Sequence, residues 1–425
     1  MNTIAVPAGL ETECFVMERG AIRHTPEVIR QLWSEHPVWP VADENTWGAA
    51  GAELTTALKM AGLTMLTPFI FPGKPILHAE IEHSHTLTKA MPENCVPIAV
   101  GSGTVNDLVK YAAGLKGVRY AVIPTAPSVD GYTSFGAALA VDGFKKTMPC
   151  PAPLAIITDP GILETAPVEM FAAGYADLMA KIPAGADWIV ADYLGQAPIR
   201  TDVWAMIQEP LRGWLEVPAE IDRVFMGLAA TGYAMQMCRD SRPASGAEHL
   251  LSHIWEMEGF EASHGFKVAV ASVGITALYE KLLAFDADTL CRMASPGTER
   301  RVREQEIARL LVRDCYGNSV REVALGKFLE DDALAARRQT IYDSWDSLRR
   351  QIAGQLYPLP ELKTMLRSVG APVDPADIGL SQEQFAGAFA RAQLIRNRYT
   401  VLDLVYELGL PLEKLAAEIC QGKIR

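Results

Sequence analysis

The sequence contains no CxxC pair, and its seven cysteines are scattered and odd in number. That excludes a disulfide framework and a cysteine-built zinc site as organising features. The first eighteen residues show no basic start followed by an apolar core, so no signal peptide is expected. No run of about 18 uncharged apolar residues occurs, so no transmembrane helix is expected either. Positive charge is in deficit: the formal net charge is −12. Such a chain repels nucleic acid and anionic lipid at long range, which leaves neither as an expected partner. Internal repeats, low-complexity stretches and a GxGxxG fingerprint are also missing. A reducing cytoplasm is the expected compartment.

What the chain does have is length and alternation. Its 425 residues exceed the usual single core, so two domains are expected. The first third alternates short β-rich runs with helical stretches. Cys14 to Met17, Val38 to Ala42, Leu63 to Phe71, Val96 to Val100, Arg119 to Pro124 and Leu154 to Thr158 read as strands. Pro26 to Trp33, Ala49 to Met60 and Val105 to Ala113 read as helices. Strand, loop and helix in repetition predict a parallel sheet covered on both faces. Beyond about residue 160 β-branched runs become scarce and amphipathic helical stretches take over, for example Pro167 to Lys181, Ala247 to Glu256, Phe266 to Phe285, Thr298 to Val312 and Gln382 to Gln393. The expected organisation is an α/β nucleotide-binding domain over residues 1–160 and an all-α domain over residues 161–425.

Val100-Gly101-Ser102-Gly103-Thr104-Val105-Asn106-Asp107 lies between an apolar strand and a helix. Small residues let backbone N–H groups approach a phosphate, and a helix N-terminus adds partial positive charge. The same run also reads as a tight strand–helix turn without a ligand. Asp43 follows the second strand, where a carboxylate either accepts from a ribose or caps the next helix. The loop Pro124 to Ser134 follows another strand and combines prolines, hydroxyls and Asp130. At the carboxyl end of a parallel strand it lies where ligands bind, unless it is an ordinary polar turn.

The chain has only eight histidines, and His249, His253 and His264 fall close together. An i, i+4 spacing puts His249 and His253 on one helix face, and His264 opens the next helix. Two imidazoles and a carboxylate suit a divalent ion with positions left open for substrate. Asp177 is a carboxylate on an otherwise apolar helical stretch, costly to bury unless it is coordinated or paired, for instance with Lys181. The bland alternative for the histidines is a solvated helix face. Arg242, Lys146 and Lys267 are candidate cations for the phosphate of an anionic substrate, and the sequence does not rank them.

These segments, joined by Ala173-Gly174-Tyr175-Ala176-Asp177-Leu178, Asp187-Trp188, the run Ser241-Arg242-Pro243-Ala244-Ser245-Gly246-Ala247-Glu248-His249, Ser252-His253, His264-Gly265 and Arg398-Tyr399-Thr400-Val401-Leu402, resemble the glycerol-1-phosphate dehydrogenase family, and its bacterial branch in particular. That family belongs to the superfamily of dehydroquinate synthase, glycerol dehydrogenase and iron-type alcohol dehydrogenases. The resemblance implies a dehydroquinate synthase-like fold, with NAD or NADP and one divalent metal ion (Zn²⁺, Ni²⁺ or Fe²⁺) as cofactors. It implies a phosphorylated triose as substrate, a homodimer, and a link to phospholipid metabolism. By the same resemblance Asp177, His249 and His264 are metal ligands. Asp130 and His253 act on the substrate, which Asp177 also touches. Gly103, Thr104, Val105, Asn106, Asp107, Thr125, Ala126, Pro127, Ser128 and Ser134 line the dinucleotide, with Asp43 near its adenosine ribose. A glycerol or polyol dehydrogenase and a sugar-phosphate cyclase are the rival activities within the superfamily. The loop at Asp130 lacks the basic, glycine-rich continuation of the cyclases.

Overall fold

Parallel strands covered on both faces have no polar side, so they appear in sequence as short runs of Val, Ile and Ala. The computed structural model describes residues 1–141, 144–312 and 316–422. In it such runs form β1 (Cys14–Met17), β2 (Val38–Asp43), β3 (Phe69–Phe71), β4 (Val96–Gly101), β5 (Ala121–Pro124) and, after a hairpin of β6 (Ala137–Val141) and β7 (Phe144–Met148), β8 (Ala155–Thr158). The six long-range strands make one sheet in the order β1-β8-β5-β4-β2-β3, parallel throughout. The helices between them are α1 (Thr25–Trp33), α2 (Glu44–Met60), α3 (Ile81–Ala90) and α4 (Gly103–Lys116). One face of the sheet packs Val16, Val38, Ile98, Val100, Ile123 and Ile157 against Val28, Ile29, Leu54 and Leu58, all buried. Leu63 to Phe71 forms a strand only at its end. Thr64 and Leu66 bond to Val38 as an isolated bridge, and Pro68, which has no N–H to give a ladder, separates that bridge from β3.

The chain then becomes helical: α5 (Pro160–Leu163), α6 (Val168–Met179), α7 (Lys181–Tyr193), α8 (Thr201–Trp214), α9 (Ile221–Cys238), α10 (Ala247–Met257), α11 (His264–Leu283), α12 (Ala287–Met293), α13 (Arg300–Leu310), α14 (Asn318–Gly326), α15 (Asp331–Gln355), α16 (Leu359–Ser368), α17 (Gln382–Ala392), α18 (Val401–Glu407) and α19 (Leu412–Cys420). Among the described residues no strand follows β8, and no single helix is long and apolar enough to cross a membrane. The parallel sheet followed by a helical region is the fold class expected from the sequence.

Two compact units result, one of Met1–Leu178 with Pro210–Asp240 and the other of Met179–Glu209 with Ser241–Arg425. The first holds the sheet and α9. In the second, α10 packs on α7, α11 and α17, and α15 packs on α7.

In the first unit the chain runs outward from β2 to β3 and returns to place β4 on the other side of β2. The carboxyl ends of β2 and β4 therefore flank the point where the winding reverses. That crevice is where open α/β sheets bind ligands.

Candidate dinucleotide and metal-binding residues

Asp43 ends β2 and caps α2. Its Oδ1 accepts from the N–H groups of Asn45 at 2.8 Å and Thr46 at 2.9 Å, and Thr46 answers as acceptor for the Asp43 N–H. Of the two roles open to Asp43, the cap is therefore in place. On the neighbouring strand, β4 runs through Gly101 into α4. Ser102, the residue before that helix, makes no side-chain cap for the opening amides of α4. A Cβ on Gly101 would lie 2.5 Å from the Val105 Cβ, and one on Gly103 would lie 2.7 Å from a Val129 methyl. Both glycines are therefore needed for the loop to pass close to its neighbours.

The residues after Gly103 divide by direction. Thr104 is half-exposed, while Val105 and Asn106 are fully buried. The Asn106 amide donates to Gly131 O and accepts from the Tyr120 hydroxyl. Asp107 accepts from the Ala138 N–H and pairs with Lys110. Lys110 is completely buried, and its ammonium reaches Gly131 O at 2.8 Å and Gly136 O at 3.1 Å. Helix α4 is thus bolted to the loop bearing Asp130 and Ser134, and Ser134 donates to the same Gly131 carbonyl.

That loop is held from its other end as well. Thr125 N–H donates to Gly101 O, Tyr132 to Ala126 O and Thr133 to Ala229 O on α9. The Asp130 N–H donates to the buried Asp177 carboxylate at 3.0 Å. Gly174, one turn before Asp177, presses α6 onto the loop so closely that a Cβ would stand 1.6 Å from Pro127 O. Gly174→Ala must push two backbones apart. We expect it to cost about 1–3 kcal/mol, the usual range for overpacking, and to weaken dinucleotide binding. Chemical melts and a nucleotide titration of the variant check this.

In the second unit, α10 and α11 bring three imidazoles together. Ring centroids are 5.4 Å apart for His249 and His264, and 6.4 Å apart for His253 with each of the others. Each ring presents Nδ1 to a glutamate: His249 to Glu248 Oε1 at 2.8 Å, His253 to Glu256 Oε2 at 3.2 Å, and His264 to Glu256 Oε1 at 3.1 Å. A carboxylate at Nδ1 keeps the proton there and leaves the lone pair on Nε2, the arrangement found behind metal-bound histidines. The donor chemistry therefore fits a divalent ion of borderline softness.

The sequence did not disclose Glu248 and Glu256 in these roles. Glu256 lies three residues after His253, on the same helix face, and that spacing was the available signal. Its ammonium partner Lys267 is buried, 3.3 Å away on α11. Arg242 donates to Tyr399 O, and Lys146 is exposed on β7.

Asp187 on α7 fixes the start of α10. It is fully buried, and it accepts from Ala247 N–H at 2.7 Å, Val401 N–H at 2.7 Å and the Tyr279 hydroxyl at 2.6 Å. One carboxylate thereby satisfies the opening amides of both α10 and α18. Gly246 has no side chain because a Cβ there would lie 2.4 Å from Asp187 Oδ2. Arg398, just ahead of α18, holds the loop before α10 through Ser245 and Ser241.

This sheet and helical region form a fold shared with solved iron-containing alcohol dehydrogenases, one of which matches with a TM-score of 0.56 at 11% identity over 99% of both chains. Residues 16–167 match the family described as iron-containing alcohol dehydrogenase. The fold is shared with glycerol dehydrogenase from Schizosaccharomyces pombe, with a TM-score of 0.59 at 13% identity over 96% of this chain and 91% of that one. More narrowly, the chain is 33% identical to glycerol-1-phosphate dehydrogenase [NAD(P)+] of Halalkalibacterium halodurans over 92% of both chains. It is 30% identical to the Bacillus subtilis protein of that name, over 94% of this chain and 92% of the relative. The chain belongs to the glycerol-1-phosphate dehydrogenase family.

Proposed function

We propose that this protein interconverts dihydroxyacetone phosphate and sn-glycerol 1-phosphate, using a nicotinamide dinucleotide and one divalent metal ion. The observation that carries the reading is the match along nine-tenths of both chains to a dehydrogenase of that name. The carboxylate-backed imidazoles supply the chemistry such a reaction needs.

By the chemistry of their side chains and the family resemblance, we assign the ion (Zn²⁺, Ni²⁺ or Fe²⁺) to Asp177, His249 and His264. Held there, such an ion would supply Lewis-acid polarisation of the ketone carbonyl. The dinucleotide supplies the hydride. The opening of α4 at Gly103 and Thr104, which Ser102 leaves without a side-chain cap, receives its phosphates, and Thr125 to Ser128 with Ser134 flank them. Asp43, held at the winding reversal, lies on the ribose side. Either dinucleotide remains compatible with this assignment. Asp130 orients the substrate. His253, with Nδ1 on Glu256, turns its Nε2 to a substrate hydroxyl and holds or passes the proton there. The cytoplasm and a homodimer complete the proposal.

NADH and NADPH oxidation by metal-loaded protein is the test, with dihydroxyacetone phosphate beside unphosphorylated dihydroxyacetone and a chelator-treated control. Metal-dependent oxidation with the phosphate ester alone is expected. Preference for dihydroxyacetone would move the activity to a polyol dehydrogenase.

A further inference from the structure

We propose that Glu256 is a positioning residue that clamps two histidines of different function with one carboxylate. Its Oε1 takes the Nδ1 of His264, the proposed metal ligand, and its Oε2 takes the Nδ1 of His253, the proposed substrate residue. This inference rests on the assignment of those histidines made above. The glutamate behind His249 is different in kind. Glu248 is adjacent in sequence, and the oxygen it gives to His249 also accepts from Gly246 N–H at 2.6 Å, so it serves one ring and the opening of α10. Glu256 serves two rings carried on two helices, α10 and α11.

The geometry requires an acceptor on both sides. Both rings present Nδ1–H if Nε2 is to face metal or substrate, so both oxygens of Glu256 must accept. A carboxylate does this and an amide does not, because glutamine has one oxygen and one NH₂. In Glu256→Gln the NH₂ faces one of the two Nδ1 atoms and drives that ring to the other tautomer or out of register. The Lys267 ammonium, 3.3 Å from Oε1, offsets the carboxylate's charge in this enclosed place and leaves the two N–H···O bonds to set the rings. Metal retention and substrate orientation thus share one support, so a single substitution damages both.

The experiment uses the full chain, stripped of metal and titrated with Zn²⁺ against a chromogenic chelator, with steady-state kinetics at limiting and at saturating Zn²⁺. Glu256→Gln is expected to weaken Zn²⁺ by roughly 10- to 100-fold, the usual effect of losing a carboxylate behind a metal-bound histidine. At saturating Zn²⁺ its kcat is expected to stay at least tenfold down, because His253 has lost its partner too. Circular dichroism of the metal-free form should match the parent, while its melting temperature should fall because the buried Lys267 ammonium loses its carboxylate partner. Glu256→Asp keeps the charge but not the reach to both rings, so it should fall between parent and Gln in affinity. It also provides the comparison if the Gln variant folds poorly. Parent-like Zn²⁺ affinity in both variants overturns the proposal, and full recovery of kcat by excess Zn²⁺ overturns its two-histidine form. If dihydroxyacetone phosphate is not a substrate of the parent, the affinity series alone decides. An ordered loss then supports the clamp while the proposed reaction falls.

Discussion

His264→Ala is expected to lose the bound metal ion and to reduce turnover by about a thousandfold or more. Carbonyl polarisation by a bound cation is worth several kcal/mol, and each 1.4 kcal/mol is about tenfold in rate. The fold should survive. His264 is the first residue of α11, and the cap of that helix belongs to its neighbour, the Ser263 hydroxyl accepting from Phe266 N–H. The imidazole is partly exposed, and alanine favours a helix, so the loss of stability should stay below about 1 kcal/mol. Metal content per chain, NADH oxidation and a thermal melt on one preparation check all three expectations. Full activity in the variant would contradict the ligand assignment.

Asp187→Ala should have the largest effect on stability. It removes the acceptor of two helix-opening amides and a tyrosine hydroxyl at once. Each buried donor left unpaired costs about 1–3 kcal/mol. Relief from burying a carboxylate offsets part of this, so the expected net loss is about 3 kcal/mol. Activity should fall with it, since the opening of α10 carries His249 and His253. The same residue makes stability depend on pH. Burial, and then the charge of Glu248, push the Asp187 carboxyl up to about 7 against the hydrogen bonds that favour its ionised form. An unfolded aspartate titrates near ~3.9. Between these values the folded chain holds a proton that the unfolded chain has released. The contribution of Asp187 to stability is therefore complete below about pH 4 and is lost as pH rises through about 7. Asp187→Asn should flatten that part of the stability curve, as denaturant melts at pH 5 and pH 8 would show. An unchanged difference between the two pH values would contradict it.

The strands were legible because burial on both faces leaves only apolar residues, as in Val96 to Val100 and Leu154 to Thr158. Helix α15 was not. Its buried residues are Ile341, Trp345, Leu348 and Ile352, a regular stripe that starts only after its first ten residues, which are mostly polar or small. The hairpin β6–β7 was unread for a different reason. Ala137 to Val141 shows little alternation, and its pairing is fixed by contacts such as Ala138 N–H with Asp107 on α4. In the site, sequence spacing alone put His249 and His253 on one face of α10. The partners that set their ring orientation depend on the turn between α10 and α11 and on rotamers, which spacing does not encode. Asp187 illustrates the limit further, since it meets Ala247 and Val401 across 60 and 214 residues of chain. Asp43 shows that a strand-end carboxylate has two uses, and the capping use was the one written in the local Asp43-Glu44-Asn45-Thr46 sequence.

The central claim is tested most directly by the configuration of the product. Metal-loaded protein is given NADH and dihydroxyacetone phosphate, and the glycerol phosphate formed is resolved by chiral analysis. Formation of sn-glycerol 1-phosphate, absent after chelation and restored by added metal, is the predicted result. Formation of sn-glycerol 3-phosphate, or no product with metal bound, would contradict the account.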